Sequence, residues 1–116
     1  MSDCLFCRLI AGEIPANLLW DDSTVVAFRD IDPQAPTHIL VVPRRHIGST
    51  EELSTDDTQL IGQLLLVATA LAEAEGLKGP DAGYRLVINT GPRGGQSVGH
   101  LHVHLLGGRQ MNWPPG

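Results

Sequence analysis

Residues 100–106 read HLHVHLL, so His100, His102 and His104 alternate with Leu101, Val103 and Leu105. A period of two is the pattern of an extended strand, because alternate side chains point to opposite faces. The sequence therefore predicts a strand over 100–106 with three imidazoles on one face, about 6.5–7 Å apart, and three aliphatics turned to the core. A slip of one residue would exchange the two sets, which fixes the register.

The rest of the chain supplies the partners such a strand needs. In CLFCRLIAGEIP, Leu5, Leu9 and Ile10 stand at helical spacing before Gly12 and Pro15, predicting a short first helix. Leu18–Trp20 and Val25–Arg29 flank Asp21, Asp22 and Ser23, the chemistry of a hairpin turn. Residues 37–44, THILVVPR, form a β-branched and apolar run expected to be a strand buried on both faces. A long helix follows, capped by Ser54 or Thr55. Its apolar stripe runs through Leu60, Ile61, Leu64, Leu65, Ala68, Leu71 and Ala72, and Gly76 ends it. Residues 84–90 complete a set of five strands with 100–106. Pro114 and Pro115 keep the tail out of helix and central strand, and Trp113 gives it a reason to lie against something.

Strands grouped rather than alternating with helices predict an α+β fold: a mainly antiparallel five-stranded sheet with two helices covering one face and a ligand on the other. At 116 residues the chain holds one core, so 1–116 is read as a single domain. The net charge of −5, with Lys and Arg scattered, offers no basic stripe for a nucleic-acid polymer. No apolar run is long enough for a membrane span, and the first residues lack the pattern of a secretory signal, so a cytoplasmic protein is the expectation.

Three imidazoles in a row fit a polar strand face, a metal site, or nucleophilic and acid–base chemistry at neutral pH. The glycine-rich GPRGGQS at 91–97 lies just upstream, where bare backbone N–H groups can approach an anion. It favours the third reading. Cys4 and Cys7 form a C-x-x-C, either a redox pair or half of a zinc site that needs two more ligands.

The stretches FCRLIAGEIPA at 6–16, DIDPQAPTHILVVPRRHI at 30–47 and GGQSVGHLHVHLLGGRQMNWPPG at 94–116 resemble the histidine triad (HIT) superfamily, and the closing WPPG resembles its Hint branch. The resemblance implies a HIT-like fold, a homodimer, and hydrolysis of purine nucleoside phosphoramidates to a nucleoside monophosphate and an amine. It makes His102 the nucleophile, His104 a holder of a phosphate oxygen, and His38 a support from the neighbouring strand. Ser97, with the backbone of Gly95 and Gln96, would bind the phosphoryl group and assist the leaving amine. Asp30 would hold the ribose hydroxyls, Asn89 and Ile31 would contact the nucleotide, and Phe6, Leu9 and Phe28, with Leu5, Ile14 and Leu40, would form the purine slot. Trp113 would reach toward the partner's site. Among superfamily members that bind structural zinc, the matching positions here are Cys4, Cys7, His46 and His100. Asn112 and Gly99 depart from the branch's frequent residues and bear on leaving-group specificity.

Three other functions fit the same residues: dinucleoside polyphosphate hydrolysis, a nucleotide-binding scaffold with incidental turnover, and a metallohydrolase with zinc at the triad. The triad segment has no acidic residue to serve as a water-activating base, which weighs against the last.

Overall fold

The computed structural model describes residues 3–116. Helix α1 (Leu5–Ile10) is followed by β1 (Leu18–Asp21), β2 (Val25–Arg29) and β3 (Thr37–Pro43), then α2 (Thr58–Ala74), β4 (Tyr84–Val87) and β5 (Val103–Gly107). The strands form one antiparallel sheet in the order β1-β2-β3-β5-β4. This is the expected α+β architecture with five strands and two helices.

Asp22 closes the β1–β2 hairpin by accepting from the N–H groups of Thr24 and Val25 and from the Trp20 indole. Strand β3 is buried along its whole length, as its sequence predicts. One of its faces carries Ile39 and Val41, which with Val25, Ala27, Val103 and Leu105 pack against Leu64, Val67, Ala68, Leu71 and Ala72 of α2. The other carries Leu40 and Val42, which with Val26 and Phe28 pack against Phe6 of α1.

The two helices thus lie on opposite faces, not on one as expected. Helix α1 is too short to cover its face, and the uncovered part becomes the site. Two details of α2 also differ from the sequence reading. Ser54 caps a 3₁₀ turn, Thr55–Asp57, through a reciprocal capping box with Asp57, and α2 proper begins only at Thr58. Leu65 is exposed, and Val67 takes its place in the buried stripe.

Strand β4 ends at Val87 rather than residue 90, because the chain must leave the sheet to form the glycine-rich loop. Strand β5 begins at Val103 rather than residue 100. Residues 100–102 extend past its paired region, where the Leu101 N–H donates to the Ile47 carbonyl instead of to a strand neighbour. The alternation survives the loss of the ladder, since Leu101, Val103 and Leu105 all enter the α2-side core. Among the described residues no helix is long and apolar enough to cross a membrane.

Candidate functional site

The site is built from the α1 face of the sheet. Register places Phe28 opposite Leu40 and Leu40 opposite His104, so an apolar floor and an imidazole lie in one row across three strands. Phe6 stands over this row, edge-on to Phe28 at 5.3 Å and to His102 at 5.2 Å between ring centroids. These residues line a cavity of about 590 Å³, a size suited to a small-molecule ligand.

Of the residues expected at a nucleotide, Phe6, Leu9, Phe28, Asp30, Ile31, Ser97, His102 and His104 line this cavity, as do Leu5, Ile14 and Leu40. Ile31 is 99% exposed, which places it at the rim. Asn89, Gly95 and Gln96 are not in the lining, and neither is Trp113, which is 83% exposed. Pro15, Ala16, Asn17, Arg29 and Val98 also line the cavity and were not anticipated. Pro15, Ala16 and Asn17 carry no chemical signal, and only chain reversal before β1 brings them to the site.

The triad does not form an exposed polar face. His100 is fully buried, His102 is 4% exposed, and His38 is 5% exposed. Buried imidazoles must satisfy their nitrogens, and the hydrogen bonds fix which nitrogen carries each proton. His102 Nδ1 lies 2.6 Å from the His100 carbonyl oxygen, to which it must donate. Nε2 is then left with its lone pair. The Gln34 N–H donates to His38 Nδ1 at 3.0 Å, so the neutral His38 ring carries its proton on Nε2. That proton reaches His104 Nδ1 at 2.9 Å, which in turn makes His104 Nε2 a donor. His104 Nε2 is buried and has no partner among the described residues. The site thus holds one imidazole lone pair and one unused imidazole N–H, on rings whose centroids are 4.8 Å apart.

His100 belongs to a second cluster. Its Nε2 lies 2.9 Å from the Pro43 carbonyl oxygen and donates to it, which turns the Nδ1 lone pair toward Cys4 Sγ at 3.4 Å and Cys7 Sγ at 3.5 Å. His46 Nδ1 approaches Cys7 Sγ at 3.3 Å, and the four donor atoms lie within 4.8 Å of one another. A tetrahedral zinc, with Zn–S near 2.3 Å and Zn–N near 2.0–2.1 Å, would set sulfur and nitrogen about 3.6 Å apart. The donor set and its spacing fit that ion, with Pro43 supplying the outer hydrogen bond that orients a ligating imidazole. Asp30, His38 and His104 also bring donor atoms within 4.8 Å. There the Gln34 N–H holds the proton on His38 Nε2, so the neutral ring offers a metal no lone pair at that atom.

Burial pushes His104 down to about 4. The neighbouring His102 and His38 rings add to this, and Asp30 opposes it. Burial likewise holds His38 below the usual histidine range, against the attraction of Asp30 and Asp32. Both folded-state values lie below the unfolded value of about 6.5. As pH falls through 6.5 the unfolded chain takes up protons that the folded chain does not, so stability decreases until the folded rings protonate, near pH 4 for His104. The unfolding midpoint is expected to fall steadily from pH 6.5 to 4, and denaturant titrations across that range check it. A midpoint flat over this interval would contradict neutral buried rings.

The glycine-rich loop needs one of its glycines for space. A Cβ on Gly94 would stand 2.3 Å from the Thr90 carbonyl oxygen, whereas one on Gly62 of α2 would meet nothing within 4 Å. Gly94→Ala is expected to cost about 1–3 kcal/mol, and Gly62→Ala to stabilise by about 0.5–1 kcal/mol. Opposite shifts of the denaturation midpoint are the measurement.

A small antiparallel α+β domain with a shared imidazole cluster at the floor of an apolar cavity is the class that fold and site define. The comparisons give the family. The model of the HIT domain matches residues 11–111. An uncharacterised HIT-like protein of Synechococcus elongatus is 52% identical over 114 residues, covering 98% of this chain and 97% of that protein. A 14 kDa zinc-binding protein of Zea mays is 52% identical over 117 residues, covering 99% and 89%. The crystal structure of a HIT family hydrolase from Legionella pneumophila superposes with a TM-score of 0.94 at 53% identity, covering 98% of this chain and all of that one. A histidine triad nucleotide-binding protein from Candida albicans superposes at 0.81 with 30% identity, over 97% and 83%. The chain belongs to the HIT domain family.

Proposed function

We propose that this protein is a nucleoside phosphoramidate hydrolase of the Hint branch, acting on purine nucleotides joined to an amine or an aminoacyl-like group. The observation that carries the reading is the fixed tautomer of His102, whose Nδ1–H is held by the His100 carbonyl so that Nε2 is the free nucleophilic atom. The purine occupies the apolar slot under Phe6, and Asp30 faces the ribose. The His102 Nε2 lone pair attacks the α-phosphorus in line, the P–N bond breaks, and the amine leaves with a proton drawn from solvent through the Ser97 hydroxyl. Water then adds its oxygen to phosphorus, breaks the P–Nε2 bond and returns one proton to solvent, giving the nucleoside monophosphate and neutral His102. The unused His104 Nε2–H donates to a phosphoryl oxygen as negative charge develops there. The Ser97 hydroxyl serves the leaving amine.

Cys4, Cys7, His46 and His100 would hold a structural zinc, which closes a four-ligand site and ties α1 to the triad segment without activating water. The naming of similar plant proteins as zinc-binding supports this assignment. The reading includes a homodimer, with Trp113 directed to the partner's site, in the cytoplasm. The edge strand β4 and the exposed Leu66 of α2 are suited to such a contact.

Intact-protein mass spectrometry after rapid quenching with an adenosine phosphoramidate tests the proposal. An added AMP mass on the wild-type chain is the expected result. Amine release without any adduct, and undiminished in His102→Ala, would refute the covalent route. Nucleotide binding without turnover would support a scaffold role instead.

A further inference from the structure

We infer that Gln96 is a positioning residue whose side chain clamps the pocket loop and does not contact the nucleotide. Its side chain is fully engaged with backbone. Nε2 donates to the Gly48 carbonyl at 2.7 Å and to the Val98 carbonyl at 3.0 Å, while Oε1 accepts from the Gly91 N–H at 3.1 Å. Exchanging O and N would set an amide N–H against an N–H and an oxygen against two carbonyls, so only one orientation is permitted. Both amide protons are spent, and no donor is left for a phosphate.

The three partners tie the two ends of the glycine-rich loop, Gly91 and Val98, to the distant segment at Gly48. Gly48 follows His46 in the segment that carries a candidate metal ligand. Gly91 opens the glycine-rich loop, whose own turn is closed by the Gln96 N–H on the Gly91 carbonyl at 3.1 Å. Val98 and its neighbour Ser97 line the cavity, as Gln96 does not. The Ser97 hydroxyl has no protein partner among the described residues, so its placement depends on the backbone that Gln96 holds. Thr50 and Thr90 tie the same two outer segments at 2.6 Å, and they do not reach Ser97. Gln96 therefore sets the position of the group that meets the leaving amine. This part of the inference rests on the proposed phosphoramidate chemistry, whereas the clamp itself does not.

The test uses Gln96→Glu, which keeps the acceptor for Gly91 and removes both donations at nearly constant volume. Three readouts are taken on the folded chain. Amide hydrogen exchange without substrate is expected to rise in residues 46–50 and 88–99 and to stay unchanged elsewhere; unchanged protection in both segments overturns the clamp. AMP binding is expected to stay within about threefold, and a loss on the order of tenfold or more would make Gln96 a nucleotide contact. With adenosine phosphoramidates of increasing amine basicity, kcat is expected to fall on the order of tenfold for alkylamines and far less for weakly basic arylamines. An equal loss for all leaving groups overturns the positioning role. If the wild-type chain turns over none of these substrates, the phosphoramidate reading fails while hydrogen exchange still decides the clamp.

Discussion

His102→Ala is expected to lower phosphoramidate turnover by at least about a thousandfold, since in the proposed route His102 forms the covalent intermediate. The physical case rests on where the other imidazoles are committed. His100 gives one nitrogen to Pro43 and turns the other to the two thiols. His104 has its Nδ1 occupied by His38, and its remaining nitrogen is a donor. Neither can take over as the nucleophile without breaking a buried hydrogen bond. The fold should survive the substitution. His102 packs against Phe6 and His104 at the edge of the smaller core, away from the α2-side cluster that contains most buried aliphatics. Steady-state kinetics beside a thermal melt make the comparison, and a variant that retains more than about a tenth of wild-type kcat/KM refutes the assignment.

Removing the proposed zinc ligands should produce the reverse pattern. Cys4→Ser and His46→Ala, or chelation of the wild-type chain, are expected to release about one zinc per chain and to destabilise the fold by roughly 3 kcal/mol or more. That loss corresponds to about 10 °C or more in Tm for a domain of this size. The four residues join α1 and its cap, the segment that follows β3, and the triad segment. Activity at a temperature where the variants stay folded should be reduced far less than in His102→Ala. The His102 tautomer depends on the His100 carbonyl, which the backbone supplies whether or not the His100 ring is ligated. Zinc content by atomic emission, Tm and kcat/KM measured on the same samples separate the two patterns. Immediate loss of activity on chelation with Tm unchanged would assign the metal to the chemistry.

Much of this molecule could be read along the chain. The largely apolar β3, the Asp22 hairpin, the long helix and the alternation at 100–105 are local patterns, and the structure contains each of them. The core-facing aliphatics of the triad segment were determined by alternation alone, and they keep their side even where the strand ladder has ended at Val103. The residue types of both clusters, C-x-x-C and H-x-H-x-H, were equally visible in the sequence.

Tertiary structure decided what no period encodes. It set α1 on the face opposite α2, because Phe6 finds Phe28, Leu40 and Val26 there, and so made the ligand face a cavity under a short helix. It divided three chemically identical side chains into different roles through their hydrogen-bond partners: Pro43 for His100, the His100 carbonyl for His102, and His38 for His104. Those partners lie as far as 66 residues away in sequence, and a main-chain N–H at Gln34 sets the last tautomer. Sequence supplies an imidazole, whose two nitrogens are nearly equivalent in water. Only a folded backbone, bringing one carbonyl or one N–H within 3 Å, makes them unequal.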